Sequence, residues 1–398
     1  MKKNNALLLT LICFITYTIG LGQEAETPKE EGYKFTTINN IKASPVKDQY
    51  KSGTCWSFAA TSYLESELIR LGYEPLDISE MYFVNHSYRE KANRYVRLHG
   101  SANFGPGGQA HDVLNVVKSH GFVTETEYPG LLKGEQKHLH GELDAVLKGY
   151  LAALIKKEDG KLSSVWPDAY SSLLNVYLGP VTENPAGSDK IRSKELYPRF
   201  NPDEYVELTS YSHHPFYEMF DLEIPDNWSH DQYYNLPVDE LLEVINSAVK
   251  NGYTVCWDGD VSDKGFSHSN GVAIVPDNDV TAMDGTERSR WEKLSEREKN
   301  AELYTFKQPG DEKKISQEMR QEAFNSLQAT DDHLMHITGI VTDQNGTVYY
   351  TTKNSWASNS NKTGGYLNMS ESYIRLNTIA VMVHKDAIPK AIRKKLNM

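Results

Sequence analysis

The segment that most constrains this chain is Gln49-Tyr50-Lys51-Ser52-Gly53-Thr54-Cys55-Trp56. The residues after it are apolar on more than one face, which predicts a buried helix that begins at Cys55. The exposed N–H groups and the positive end of a helix dipole favour a thiolate, which is the nucleophilic form of cysteine. The Gln49 side chain can loop back and, with the Cys55 backbone N–H, form a two-donor oxyanion hole.

A lone cysteine at a helix start is more often a buried structural residue than a nucleophile. Two further segments change this balance, namely Asp332-His333-Leu334-Met335-His336 and Lys353-Asn354-Ser355-Trp356. Strands are predicted over residues 334–342 and 348–352, with the Asn-Gly pair of residues 345–346 in a hairpin turn between them. Such a hairpin brings His333 close to Asn354 in spite of their separation in sequence.

The three segments together, in this order, resemble the papain superfamily of cysteine peptidases. The match is closer to one branch, that of bleomycin hydrolase and bacterial aminopeptidase C, and it covers roughly residues 33–385. The similarity to this branch is carried by Gly107-Gly108-Gln109, Asn235-Leu236-Pro237-Val238-Asp239-Glu240-Leu241, Val255-Cys256-Trp257-Asp258-Gly259-Asp260-Val261 and Gly365-Tyr366.

The resemblance implies a role for each residue of the catalytic group. The Cys55 thiolate attacks the peptide carbonyl, and His333, as an imidazolium, stabilises this thiolate and then protonates the leaving amine. Asn354 orients the His333 ring, and Trp356 shields the hydrogen bond between them from water. Gln49 and the Cys55 N–H stabilise the oxyanion. One departure from the family pattern is alanine at position 357, where glycine is usual.

Two histidines compete for the role of the base. An odd offset on a strand places His333 and His336 on opposite faces. The family places its histidine six residues before a glycine and directly after a small or acidic residue, and His333 fits both conditions through Gly339 and Asp332. We therefore assign the base to His333.

Gly107 and Gly108 match the glycine pair that binds the substrate backbone in papain-like enzymes. Glycine suits this position because no Cβ blocks the approach of the substrate. The alternative is a plain turn before the helix predicted over residues 110–120.

The resemblance implies an α+β, papain-like fold of two subdomains with helical insertions. The predicted parts are a helical subdomain at about residues 50–130, a helical insertion at about 131–250, a β-rich subdomain at about 251–385 and a C-terminal tail at 386–398, all within a peptidase domain of residues 35–398.

The N-terminus predicts export. Lys2 and Lys3 precede an apolar run over residues 6–19, and Gly20 and Gly22 stand at the −3 and −1 positions of a cut before Gln23. Residues 1–22 are thus predicted as a signal peptide and residues 23–34 as a polar leader. The alternative is a retained anchor. We expect a periplasmic or extracellular enzyme that has no membrane association after signal removal.

The composition argues against nucleic-acid binding and against cofactors. The chain has 42 basic and 54 acidic residues, a net charge of −12, with no basic run in its body. After signal removal only Cys55 and Cys256 remain, so no structural disulfide is expected, and Cys256 reads as inert core. His213 and His214 are adjacent, and on an extended chain they would point to opposite faces, so no metal site is predicted.

The expected function is cysteine-type hydrolysis of peptides, with an aminopeptidase favoured by resemblance. The alternatives are an endopeptidase with an open cleft, a transferase that uses an acceptor other than water, and an inactive peptide-binding protein. In the branch, a C-terminal arm in the cleft restricts cleavage to chain ends. The tail here is short and basic, and Met398 could serve this purpose only if the tail runs back over the cleft. A hexamer is a further hypothesis from the resemblance.

Overall fold

A computed structural model describes most of the chain, including its side chains. The described residues are 32–131, 134–156, 161–181, 188–277 and 285–398. The predicted signal peptide and all but the last three residues of the predicted leader lie outside this set. No helix within the described ranges has the length and apolar character needed to cross a bilayer.

The fold combines helices with a β-sheet. Among the described residues they are α1 Cys55–Arg70, α2 Glu80–Arg97, α3 Ala110–His120, α4 Gly141–Ile155, α5 Trp166–Leu178, α6 Ser188–Leu196, α7 Val238–Lys250, α8 Gly285–Lys293, α9 Glu296–Leu303, α10 Gln317–Asn325, α11 Glu371–Asn377 and α12 Lys390–Lys395. The predicted helix over residues 110–120 is confirmed as α3, and Gly121 follows it with a φ of 84°.

The strands form one mixed sheet. They are β1 Thr36–Asn40, β2 Tyr205–Thr209, β3 Met219–Asp221, β4 Gln232–Asn235, β5 Val255–Gly259, β6 Phe266–Ser267, β7 Val272–Ala273, β8 His333–Thr342, β9 Val348–Lys353, β10 Tyr366–Ser370 and β11 Thr378–His384. Their order across the sheet is β3-β4-β2-β11-β5-β8-β9-β10-β7-β6, and β1 pairs with β8. The α+β class predicted from the sequence is confirmed.

The prediction of a helical insertion over residues 131–250 is wrong for its second half. Strand β2 pairs with β11, β4 pairs with β2, and β3 pairs with β4, so these three strands extend the main sheet. The sequence did not predict these strands, because runs of three to five residues are too short to show a clear alternation. Within the range, α4, α5 and α6 precede β2, and α7 follows β4.

The central strands carry a different core on each face. Leu334, Cys256 and Met382 pack with α1, α2 and α3 on one face. Their neighbours in the same strands, such as Met335 and Trp257, pack with α7 on the other face. This alternation follows from the two-residue period of a strand.

The C-terminal tail lies on the face opposite to α1. Ile392 and Leu396 are buried with the core residues of α7. The Lys395 ammonium lies 2.6 Å from the Glu240 carboxylate of α7, and the Met398 backbone N–H donates to the Arg393 carbonyl at 3.0 Å. The condition for Met398 to reach the cleft is therefore not met, because burial of two apolar side chains holds the tail elsewhere.

Candidate active site

Helix α1 begins at Cys55, as the sequence predicts, and places this residue beside the first residues of β8. Gly53 has a φ of 67°, and a Cβ at this position would lie 2.7 Å from Pro106. Trp56 donates from its indole nitrogen to the Pro106 carbonyl at 2.9 Å. The turn before α1 thus needs glycine both for its backbone conformation and for its close approach to Pro106.

His333 and Asn354 are brought together by the β8–β9 hairpin. The His333 Nε2 atom lies 2.8 Å from the Asn354 Oδ1 atom, which also accepts from the Ser355 backbone N–H at 2.7 Å. Because this Asn354 atom acts as an acceptor, His333 carries its proton on Nε2. The Nδ1 atom of the neutral ring is then left with its lone pair and can accept a proton.

Two rings enclose the His333–Asn354 pair. The Trp356 ring packs against His333 at a centroid distance of 4.8 Å, in the place where a shield from water was predicted. His268, which the sequence did not single out, packs against Trp356 at 4.9 Å, and the Asn354 side-chain nitrogen lies 3.3 Å from its Nδ1 atom. Asn354 therefore has hydrogen-bond partners on both sides of its amide.

Gln49 is buried next to Cys55 with its amide oriented by a neighbour. Its side-chain carbonyl accepts a hydrogen bond of 2.6 Å from the Ser355 hydroxyl, and its backbone N–H donates to the Ser355 carbonyl at 2.8 Å. With the carbonyl held in this way, the NH₂ group is the part of the amide that remains to donate. The sequence predicted Gln49 but assigned no role to Ser355.

The Cys55 sulfur touches the strand that carries His333. It accepts a hydrogen bond from the backbone N–H of Leu334, the residue that follows His333, and this bond works to lower the pKa of the thiol. Burial outweighs it and raises the pKa of Cys55 to about 12, while burial lowers the pKa of His333 to about 4. Burial therefore disfavours ionisation of this thiol unless a partner group takes up its proton.

The two opposed pKa shifts have a common consequence. Ionisation of either group alone is disfavoured, because each charge would stand by itself in a buried place. Transfer of the thiol proton to His333 creates both charges at once and side by side, so each stabilises the other. The arrangement favours a nucleophile that is formed in a concerted proton transfer.

His336 lies on the α1 side of strand β8. Its Nδ1 atom is 2.8 Å from the Ser62 hydroxyl, seven residues along α1 from Cys55, or about 10 Å along the helix axis. Burial and the nearby Lys353 lower the pKa of His336 well below its usual value. It is thus a neutral core histidine in this structure, and the sequence-based assignment of the base to His333 remains the prediction.

Gly107 and Gly108 lie at the edge of the cleft, but neither is open on its Cβ side. A Cβ at Gly107 would overlap the Asp226 carboxylate, and one at Gly108 would lie 2.7 Å from the Asp112 carboxylate and 3.0 Å from the Trp56 ring. The Lys91 ammonium donates to the Gly107 carbonyl. Their role in binding a substrate backbone stays a prediction. At Gly107 the Asp226 carboxylate occupies space that a substrate backbone would need.

Two more carboxylates lie near Asp226. Asp331 accepts from the Asp226 backbone N–H at 3.2 Å and from the Gln109 side-chain nitrogen at 3.0 Å, and Asp258 adjoins Asp331. Asp226, Asp258 and Asp331 all act to raise the pKa of the Cys55 thiol. They come from distant segments, and no local spacing in the sequence predicts their meeting.

His213 and His214 share a partner, which corrects the geometric argument made from the sequence. Their Nε2 atoms lie 3.1 and 2.9 Å from the two oxygens of Glu223, because residues 212–214 form a turn and not an extended chain. Gln321 directs its side-chain nitrogen to His213 Nδ1 at 3.1 Å, since its oxygen accepts from the Ser212 backbone N–H. His213 therefore carries its proton on Nε2, which suits a hydrogen bond to Glu223 and not a metal ligand.

Comparison with known proteins agrees with the geometry of this site. The model of the papain family cysteine proteases matches residues 34–153, and the model of the peptidase C1-like family matches residues 285–398. These two matches contain Cys55 and His333 respectively. The chain belongs to the papain superfamily of cysteine peptidases.

Relatives from this superfamily match the chain over different parts of its length. Cysteine proteinase 1, mitochondrial, of Saccharomyces cerevisiae is 22% identical over 426 residues, which span 92% of this chain and 80% of the yeast protein. A senescence-specific cysteine protease of Oryza sativa subsp. indica is 27% identical over 155 residues, 37% of this chain and 42% of the rice protein. The predicted similarity to the bleomycin hydrolase branch is confirmed by the long match. This protein is a cysteine peptidase.

A solved structure shares the fold. The crystal structure of pepw from Lactobacillus rhamnosis superposes with a TM-score of 0.67 at 16% identity and covers 91% of this chain and 84% of that chain. At this identity the likeness concerns the fold alone.

Proposed function

We propose that this cysteine peptidase is an aminopeptidase that removes residues from the free amino end of peptides. Cys55 attacks the first peptide carbonyl, His333 moves the proton, and Asn354 holds the His333 ring. Gln49 and the Cys55 N–H bind the oxyanion, and Trp356 shields the ring pair.

One observation supports an exopeptidase above all others, namely the contact between Asp226 and Gly107. In the superfamily a long substrate runs past this glycine on the side that precedes the scissile bond. Here the space above Gly107 is filled by the Asp226 carboxylate, and the Gly107 carbonyl already accepts from Lys91. A substrate can extend only a short way before it meets a negative charge, and the group at a peptide's free end is an ammonium.

The reaction then follows from the named atoms. The Cys55 thiol proton passes to His333 Nδ1 as the sulfur attacks the carbonyl carbon, and the carbonyl oxygen becomes an oxyanion bound by the Gln49 amide and the Cys55 N–H. His333 gives its proton to the leaving nitrogen as the C–N bond breaks, which leaves a thioester on Cys55. A water molecule then loses a proton to His333 and attacks the thioester carbonyl. The C–S bond breaks, the amino acid leaves, and His333 returns the proton to the Cys55 sulfur.

The C-terminal tail has no part in this end-recognition, in contrast to the arm of the related branch. Because Ile392 and Leu396 are buried on the opposite face, Met398 stays beside α12. We expect removal of the last few residues to lower stability without a change in the position of the cut.

A pair of peptides tests the proposal. An octapeptide with a free amine and the same peptide N-acetylated are incubated with the enzyme, and the products are identified by mass spectrometry. We expect stepwise loss of amino-terminal residues from the first and cleavage at least about 10²-fold slower from the second. Internal cleavage of the acetylated peptide at a comparable rate would instead identify an endopeptidase. Failure of iodoacetamide to label Cys55 in the folded protein would indicate an inactive binding protein.

Two further parts of the proposal concern the setting of the enzyme. The apolar run of residues 6–19 after Lys2 and Lys3 supports export to the periplasm or beyond, and amino-terminal sequencing of the mature protein tests the cut before Gln23. A homo-oligomer, with a hexamer as the family precedent, is tested by light scattering.

A further inference from the structure

A cluster of buried acceptors without donors lies beside Cys55. Within the described ranges, both carboxylate oxygens of Asp258 and the Gln109 Oε1 atom are buried and have no hydrogen bond of regular geometry, although the Gln109 side chain lies near enough to Asp258 to lower its pKa. Asp258 is 2% exposed and Gln109 is fully buried. Buried polar atoms are nearly always paired, and each unpaired one costs about 1–3 kcal/mol. Three such acceptors in one place indicate a site that is completed by a donor from outside the chain.

The sheet places this cluster next to the nucleophile. Asp258 stands opposite Leu334 in the antiparallel β5–β8 pair, and both residues share the α1 face with Cys256. Leu334 is the residue whose backbone N–H donates to the Cys55 sulfur. Directly opposed residues of an antiparallel pair have Cβ atoms about 5 Å apart. Asp258 is therefore a direct neighbour of the residue that contacts the Cys55 sulfur.

The cluster opens towards the cleft through its other two carboxylates. Asp226 and Asp331 are partly exposed, and Asp258 lies buried beneath them. Both Asp331 oxygens accept from neighbours, at 3.0 Å from Gln109 and at 3.2 Å from the Asp226 backbone. These contacts fix the Asp331 carboxylate at the mouth of the cluster and leave Asp258 without a donor behind it.

The charges are uncompensated on the side of Asp258 and Asp331. Burial and mutual repulsion raise the pKa of Asp331 to about 7 and that of Asp258 well above its usual value. No cation is among the main influences on either group. The nearest cation, Lys91, lowers the pKa of Asp226 and donates to the carbonyls of Gly105 and Gly107.

We propose that Asp226, Asp258 and Asp331, together with the Gln109 Oε1 atom, bind the α-ammonium group of the residue whose carbonyl Cys55 attacks. This inference rests on the proposed aminopeptidase function and names the residues that select the substrate. The ammonium supplies three N–H donors and one positive charge, which the cluster lacks.

The reach of the substrate agrees with this placement. The α-nitrogen and the carbonyl carbon of one residue are two bonds, or about 2.5 Å, apart. A group that binds the ammonium must therefore lie beside the nucleophile, and a pocket farther along the cleft could not serve a single residue. Asp258 meets this condition through its place opposite Leu334, and Asp226 and Asp331 meet it through their contacts with Gly107 and Gln109, in the loop that packs on Trp56 beside Cys55.

The cluster also explains how a blocked substrate would be rejected. An acetylated nitrogen is neutral, has one N–H, and brings a carbonyl acceptor towards carboxylates that need donors. The buried Asp258 oxygens then stay unpaired in the complex, and a site built for a polar group rejects an analogue that lacks it by large factors.

The test compares two substrates that differ only in the amine. Alanyl-aminomethylcoumarin carries the ammonium, and propionyl-aminomethylcoumarin carries hydrogen in its place. The ratio of their kcat/KM values is measured for the wild type and for Asp226→Asn, Asp258→Asn and Asp331→Asn. The control is Asp343→Asn, a buried carboxylate in the β8–β9 turn that accepts from the Asn345 and Thr347 backbones at 2.9 Å, far from Cys55.

We expect the wild type and Asp343→Asn to favour the alanyl substrate by about 10²-fold or more, and the ratio to fall at least tenfold in Asp258→Asn and Asp331→Asn. Iodoacetamide titration of Cys55 counts the folded sites in each preparation, and the partly exposed Asp331 provides a variant that does not disturb the core. An unchanged ratio in every folded Asp→Asn variant overturns the ammonium pocket and leaves the aminopeptidase function standing. Equal rates on both substrates in the wild type, with internal cleavage of acetylated peptides, overturn the proposed function itself.

Discussion

The Ser355 hydroxyl donates a hydrogen bond of 2.6 Å to the side-chain carbonyl of Gln49. The bond links the loop after β9, which also holds Asn354, to the loop before α1, which ends at Cys55. It sets which end of the Gln49 amide faces the reacting carbonyl. Two of the proposed catalytic functions, orientation of His333 and stabilisation of the oxyanion, therefore depend on adjacent residues of one turn.

This link predicts a specific pattern of kinetic losses. Gln49→Ala should lower kcat on the order of 10²-fold with little change in KM, as for loss of one oxyanion donor. Ser355→Ala should lower kcat about tenfold, because the Gln49 amide loses its orientation. The double variant should be no slower than Gln49→Ala, since the two residues act through one group. Ser355→Thr, which keeps the hydroxyl, is the control, and full additivity would show that Ser355 acts independently.

The identity of the base is tested by the reactivity of Cys55. Without the imidazole, a buried thiol whose pKa is near 12 has no proton acceptor. His333→Ala should therefore slow iodoacetamide labelling at pH 7 on the order of 10²-fold or more, and labelling should recover only as the pH rises towards this pKa. His336→Ala should label at the wild-type rate, although loss of its bond to Ser62 lowers the melting temperature. Equal slowing in both folded variants would show that the base is misassigned.

Ala357 offers a prediction about stability. It has a φ of 67°, a left-handed conformation that costs an L-residue about 1 kcal/mol and costs glycine nothing. The hydrogen bonds of the turn are nevertheless formed, with the Ala357 N–H donating to the Lys47 carbonyl at 3.1 Å. Ala357→Gly should raise the free energy of unfolding by about 0.5–1 kcal/mol with no change in kcat, and urea denaturation measures it. A decrease in stability would mean that the methyl group itself packs favourably.

The raised pKa of Asp331 predicts that its carboxyl group lowers the stability of the fold at high pH while it supports activity. Its pKa is raised to about 7 in the folded protein from an ordinary value near 3.9 in the unfolded chain. The folded state therefore binds the proton more tightly, and the carboxyl destabilises the fold progressively as the pH rises through this window. Asp331→Asn should gain about 2 °C or more in melting temperature at pH 8 relative to its effect at pH 5, while kcat/KM on free-amine peptides falls.

The control for this prediction is Asp331→Glu, which keeps a titratable carboxyl group at this position. A stabilisation by Asp331→Asn that does not grow with pH would show that the carboxylate is not strained in the fold.

The sequence was sufficient for the residues that lie on long, regular elements. Cys55 at the start of α1, His333 at the start of β8 and Asn354 after β9 could be placed because the helix is strongly apolar and because an Asn-Gly turn fixes the hairpin. The paired strands then bring His333 to Asn354 in the structure.

The sequence did not suffice where function depends on side chains from separate segments. Asp258 lies on β5, Asp331 precedes β8, which pairs with β5, and Asp226 lies in the loop between β3 and β4, so their meeting follows from pairing and loop packing between distant parts of the chain. The pKa of the Cys55 thiol likewise depends on burial and on these three carboxylates, which the local sequence around Cys55 does not reveal. The path of the tail depended on the burial of Ile392 and Leu396, which a short basic sequence hardly suggests.

The mass of the acyl group on Cys55 tests the central claim most directly. The enzyme is mixed with excess octapeptide, the reaction is stopped in acid within its first turnover, and the intact mass of the protein is measured. Because Asp226 covers Gly107 and the proposed ammonium pocket adjoins the sulfur, we predict a thioester that carries a single amino-terminal residue. An acyl group of several residues on Cys55 would contradict the account.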